Sequence, residues 1–158
     1  MKTRRTLLAA LLLTTTVGLV APSSEAGGDP SIILVVVNKT NPAATLGVSD
    51  LRPIFQTSKT SWSSGGDATP FNLPNDHRLR QAFDQAVLGL DPDRVARYWK
   101  DRKIRGGAHA PRQLPTTGAV LAAVAADSGA VGYVNAADLN NKTVKVVAKI
   151  IAGKLMPP

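Results

Sequence analysis

Cysteine is absent from the 158 residues of this chain, and that absence excludes several things at once. No disulfide can staple the fold, no thiolate can serve as nucleophile or metal ligand, and no lipid anchor can be attached through a thiol. Histidine is almost as scarce. His77 and His109 stand far apart with no His-x-x-x-His spacing, so a zinc site is not expected. Catalytic signatures are missing too: there is no Gly-x-Ser-x-Gly elbow, no Walker loop and no dinucleotide-binding glycine fingerprint. Asp76 and His77 are neighbours, but adjacent helical residues point in different directions and do not form a working pair. The expectation is a protein that is not an enzyme and carries no cofactor.

One long apolar run is present, and it lies at the start. Lys2, Arg4 and Arg5 precede the 14 residues from Leu7 to Val20, and Ser24-Glu25-Ala26 places small residues before Gly27-Gly28. That order matches a secretory signal peptide cleaved after about Ala26. A spanning helix needs roughly 20 apolar residues, so no membrane span is expected after processing. The 158 residues less these 26 leave 132, enough for one domain that holds together by its core. The leader takes three of the 19 basic and one of the 11 acidic residues, leaving 16 against 10, or +6. A basic surface favours anionic partners or serves solubility alone. Nothing beyond net charge speaks for nucleic acid, so none is expected.

The remaining pattern alternates strands and helices, which predicts a single α/β domain over residues 27–158. Ser31 to Asn38 is a β-branched run suited to a strand covered on both faces. Ser49 reads as the cap of a short helix over Asp50 to Phe55, with Leu51, Ile54 and Phe55 inward and Pro53 limiting its length. Thr57 to Ala68 reads as a polar loop pinned by Trp62. A second helix is predicted over about His77 to Leu88, because Leu79, Phe83, Ala86 and Val87 recur at helical spacing before Gly89. Asp91-Pro92 opens a third helix with Val95, Tyr98, Trp99 and Arg102 along one stripe, more core than ligand platform. An irregular connection follows over Ile104 to Leu114. Thr116 or Thr117 caps an alanine-rich helix ending near Ala126. Gly129 to Val134 reads as a strand whose glycines mark a close backbone approach, and Val144 to Val147 as the last strand.

The most informative stretch is Phe71 to Phe83. It reads as a strand from Phe71 to Leu73, a turn at Pro74-Asn75 and a helix opening at Asp76 or His77. A helix start exposes unpaired N–H groups at the positive end of its dipole, which suits an anion. Here Asn75, Asp76, His77, Arg78 and Arg80 surround that start, and Thr116 with Thr117 forms a second one. The plain alternatives are ordinary capping and a solvated basic face. Arg78 and Arg80 are two apart and do not share one side of a helix.

These residues resemble the phosphate-binding proteins of bacterial ABC transporters, and more closely the short, single-lobe exported proteins of that type. The resemblance runs from about Val35 to Val147. It is carried by Val36-Val37-Asn38 with Asn41-Pro42, Leu51-Arg52-Pro53-Ile54-Phe55 with Trp62, and Asn72 to Phe83. Val87-Leu88-Gly89, Tyr98-Trp99 and Gly129-Ala130-Val131-Gly132-Tyr133-Val134 complete it. It implies a single periplasmic-binding-protein-like lobe, a mixed sheet flanked by helices, exported to the periplasm. It also implies phosphate or another small oxyanion as ligand. In larger relatives the strand-to-helix turn ends in a Ser-Gly-Thr clamp, and the matching positions here are His77, Arg78 and Leu79, with no hydroxyl among them. Binding would rest on N–H groups plus Arg78, Arg80 or His77. A single lobe also lacks a second wall. Candidates for that wall are a second copy in a homodimer, an envelope protein such as a transporter or sensor, or nothing. A ligand-free accessory module of the same fold is the alternative.

Overall fold

The computed structural model describes residues 32–139 and 142–158. The leader read over residues 1–26 lies outside the described residues, as does Ser31. The described elements run β1 (Ile32–Asn38), α1 (Val48–Phe55), β2 (Thr69–Asn72), α2 (Arg78–Phe83), a π-turn (Asp84–Leu88) and α3 (Pro92–Ile104). They continue with β3 (Arg112–Gln113), α4 (Thr117–Ala126), β4 (Ala130–Asn135), a 3₁₀ turn (Ala136–Asp138), β5 (Val144–Ile151) and β6 (Lys154–Met156).

Among the described residues, six strands form one mixed sheet in the order β3-β2-β4-β1-β5-β6. β2 runs parallel to both β3 and β4, whereas β1 is antiparallel to β4 and β5, and β6 is antiparallel to β5. The continuous apolar run of β1 is therefore a central strand of an antiparallel stretch. Its covering on both faces, not its pairing direction, selects that composition. Ile33, Val35, Val36 and Val37 are fully buried, and a bulge between Val35 and Val36 adjusts the register against β5.

Successive strand residues point to opposite faces, and β4 shows what each face meets. Gly132 turns toward α4, where a Cβ would stand 2.4 Å from Val120 Cγ1. Tyr133 turns the other way and stacks on Phe83 of α2 at 4.0 Å between ring centroids, with Phe55 of α1 at 6.0 Å. The result is a sheet with α4 on one side and α1, α2 and the π-turn on the other. The close approach expected at the glycines of this segment is present twice. Gly129, just before β4, would place a Cβ 2.2 Å from the Asp67 carbonyl oxygen. The Gly129 carbonyl also accepts from the Trp62 indole N–H and the Thr69 amide, each at 3.0 Å. Trp62 thereby pins the 57–68 loop to the sheet.

Several boundaries differ from the sequence expectation. Helix α1 begins at Val48 and is capped at Gly47, not Ser49, and the Asp50 carboxylate reaches back to the Gly47 amide at 3.0 Å. The second helix is α-helical only to Phe83, after which one π-turn carries it to Gly89 in the left-handed conformation. The wider turn is held from outside by Arg52, whose Nε donates to the Val87 carbonyl at 2.9 Å. Within the 104–114 connection, β3 pairs with β2 through Phe71 and Asn72. β5 runs on to Ile151 and turns at Ala152-Gly153 into β6.

Candidate functional site

Because β2, β3 and β4 are parallel, their carboxyl ends lie along one edge of the sheet. The segments leaving β2 and β3 there start α2 and α4. This is the edge outside which ligands sit in open α/β sheets. His77 caps α2 with its own ring, Nδ1 accepting from the Leu79 amide at 3.2 Å. One of the helix's orphan donors is thus already taken. Leu79 is fully buried, as its place in the apolar stripe requires. Asp76 and Arg78 are exposed. Asn75 accepts from Gln113 Nε2 at 3.1 Å, tying the turn after β2 to β3. Thr116 caps α4, its Oγ1 accepting from the Ala119 amide at 3.1 Å, and Thr117 follows as the first residue of that helix.

Arg80 behaves unlike its neighbour Arg78. It is 2% exposed and lies against Asp84, itself 5% exposed, with Nε and Oδ2 at 2.5 Å. The spacing of four along the chain brings them together on one side of the helix. Arg80 Nη1 also donates to the Leu73 carbonyl at 2.9 Å. Burial pushes the Asp84 carboxyl above its ordinary range, and the neighbouring Arg80 charge and hydrogen bond act against that shift. Next to this pair, the Tyr133 phenol accepts from the Leu73 amide and donates to Asn72 Oδ1, both at 3.2 Å. Burial raises the phenol's pKa well above the usual tyrosine range, so it remains a donor. Replacing it tests this locally. Tyr133→Phe leaves the buried Leu73 amide without its acceptor and is expected to lower stability by about 1–3 kcal/mol in denaturant melts.

Between α2, its π-turn and α3 lies a cavity of about 310 Å³. One wall is polar, formed by Asn75, Arg80, Gln81, Asp84 and Gln113. The other is apolar, formed by Pro92, Val95, Ala96, Trp99 and Ala110. Beyond its bonds to Asp84 and the Leu73 carbonyl, the Arg80 side chain also acts on the Tyr133 phenol through its charge and a hydrogen bond. Asp84 Oδ1 and Trp99 Nε1 are both buried without a hydrogen-bond partner. A buried group left unpaired costs free energy, and two in residues lining one cavity call for an explanation. Trp99 is held edge-on to Tyr98 at 5.0 Å, with the Arg102 guanidinium 5.9 Å from the indole centroid. Arg102 itself is fixed by bonds to the Tyr98 hydroxyl at 2.8 Å and the Gln56 carbonyl at 3.0 Å.

Of the residues singled out in the sequence, the cavity brings together Asn75 and Arg80. Asp76, His77, Arg78, Thr116 and Thr117 do not line it. Asp84, Gln113 and Trp99 belong to it and were not read as site residues. The i, i+4 spacing of Arg80 and Asp84 beside the Leu79–Phe83–Val87 stripe is the signal that marked the first of these.

A family model described as the PBP superfamily domain matches residues 31–156. This chain belongs to the PBP superfamily. No curated protein matches it. Among solved structures, it is similar to an ABC-type phosphate transport receptor from Vibrio cholerae, at 16% identity and a TM-score of 0.58, covering 75% of this chain and 46% of that one. It is also similar to a protein from Clostridium perfringens designated a phosphate ABC transporter substrate-binding protein and seen with phosphate bound. That match has 18% identity and a TM-score of 0.57, covering 80% of this chain and 48% of the other. Identities this low establish the shared fold. This PBP-superfamily chain spans slightly under half the length of each of these relatives. Among its described residues, no helix is long and apolar enough to cross a membrane.

Proposed function

We propose that this is an exported, single-lobe solute-binding protein, without catalytic activity, that holds phosphate or a related small oxyanion weakly at the carboxyl edge of its sheet. The observation that carries the reading is Arg80. It brings a buried positive charge to the lining of a cavity at that edge, which Trp99, whose indole N–H is buried without a partner, also lines. A guanidinium N–H and an indole N–H are the donors an oxyanion accepts from, and the charge-assisted one is the stronger. Asp84 Oδ1, an unpaired acceptor in the same wall, suits an oxyanion that still carries a proton. The fold shared with phosphate receptors supports the same assignment. Weak binding follows from the missing hydroxyl clamp at His77, Arg78 and Leu79. Calorimetry with phosphate and sulfate on the purified protein tests this. Heat that saturates in the millimolar range is expected, and no heat with no thermal shift would sink it.

A second reading has its own observation in favour. The start of α2 is closed on itself by His77, as suits a lobe kept for contact with an envelope protein rather than for a ligand. A pull-down that enriches one envelope protein, unchanged by added phosphate and by Arg78→Ala, would favour it. Export and processing carry a separate expectation. Intact-mass measurement of the protein recovered from outside the cytoplasm should give a chain beginning at Gly27, leaving residues 27–158 as the domain. A mass retaining the first 26 residues would overturn that assignment.

A further inference from the structure

Resting on the oxyanion reading above, we infer that the ligand is an organic oxyanion with an apolar body: a phosphate monoester or a carboxylate on an aromatic or branched aliphatic group. The cavity's size is the first reason. At about 310 Å³ it reaches the range of cavities that hold small organic molecules, and a bare inorganic ion fills only a fraction of it.

The two walls are the second reason. Pro92, Val95, Ala96 and the Trp99 ring present carbon opposite Arg80 and Asp84. A free ion placed there would give up water on the side facing carbon and gain no hydrogen bond from it, which is costly. An organic anion divides along the same line as the cavity. Its charged group meets the polar wall of Asn75, Arg80, Gln81 and Gln113, while its apolar body covers the α3 wall. The pairing of Arg80 with Asp84 adds a third reason. Much of the guanidinium charge is already neutralised by the carboxylate 2.5 Å away, so charge alone holds a small ion poorly and apolar burial must supply the rest. The Asp84 oxygen without a partner is an acceptor for an O–H carried by the ligand, as on a singly protonated phosphate ester.

The experiment is a calorimetric comparison of matched pairs on the purified protein: phenyl phosphate against inorganic phosphate, and phenylacetate against acetate. At least one phenyl compound is expected to bind about tenfold tighter than its small counterpart, or better. Ala96 is an exposed helical residue that lines the apolar wall, so Ala96→Phe fills the cavity with little demand on the fold, as a thermal melt checks. That variant should lose the preference for the phenyl compounds. Equal affinity within both pairs, with phosphate still bound, overturns this inference and leaves the oxyanion reading standing. A phenyl preference that survives Ala96→Phe places the site elsewhere and also overturns it. No binding by any of the four compounds overturns both.

Discussion

Arg80→Met is expected to lower the stability of the folded chain by about 3–5 kcal/mol at neutral pH, because it leaves the Asp84 carboxylate buried without its counter-charge. The effect should depend on pH in a defined direction. An acid whose folded-state pKa is raised holds its proton longer when folded than when unfolded. In the window above the ordinary value of 3.8 the folded state therefore binds more protons, and stability falls as pH rises. Arg80 is what limits that rise in the native chain. Without it the Asp84 pKa climbs further and the penalty at neutral pH grows. The stability gap between native and Arg80→Met chains should consequently narrow as the pH falls toward the ordinary carboxylate range, where the folded carboxyl takes up its proton and no longer needs a counter-charge. Arg80→Met with Asp84→Leu should recover most of the loss at neutral pH, since a buried pair replaced by apolar groups is often tolerated. Denaturant midpoints of the three proteins across this pH range are the measurement. A single-variant loss below about 1 kcal/mol, or a gap that widens in acid, would show that the pair is not buried as described.

Gly129→Ala should be the most damaging of the simple glycine substitutions. The added methyl would meet a backbone oxygen, Asp67 O at 2.2 Å, which cannot rotate away as a side chain can. The chain must shift, and the shift disturbs the two hydrogen bonds its carbonyl accepts from Trp62 and Thr69. Overpacking of this kind costs about 1–3 kcal/mol, with more where backbone must move. Gly66 supplies the contrast. Its φ of +85° strains any other residue, but nothing stands within 4 Å of the would-be Cβ. Gly66→Ala should cost only about 1 kcal/mol, the penalty of a left-handed conformation. Thermal melts followed by tryptophan emission would register the first change strongly, because Trp62 is bonded to the displaced carbonyl. Equal losses at the two positions would contradict the packing described here.

How far the sequence alone reaches is visible in single residues. Leu79, Phe83 and Val87 announced the buried stripe of the second helix, Gly89 its end, and Asp91-Pro92 the start of the third, because caps and periodicity act locally. Arg78 and Arg80 could be told apart as facing different ways. Which of them faced inward could not, since a buried arginine depends on a carboxylate four residues on and on the Leu73 carbonyl across the turn. The family fold was legible from the order of the motifs, whereas the direction of β1 was not. Both faces of that strand are covered whichever way its neighbours run. The two-residue β3 carries no periodicity at all; it exists because Phe71 and Asn72 offer it an edge. The cavity escaped for a related reason. Trp99 has the spacing of a core residue and packs against the core, yet it also lines a space made by residues from 75 to 113, which only the folded chain brings together.

The measurement that bears most directly on the central claim uses the protein's two tryptophans. Trp62 donates its indole N–H to Gly129, whereas Trp99 lines the cavity and its indole N–H is buried without a partner. In a ¹H–¹⁵N spectrum titrated with phosphate, and in parallel with phenyl phosphate, the Trp99 indole resonance should move and saturate while that of Trp62 stays in place. A Trp99 signal unmoved by either compound, or a shift confined to Trp62, would contradict the assignment of this cavity as the oxyanion site.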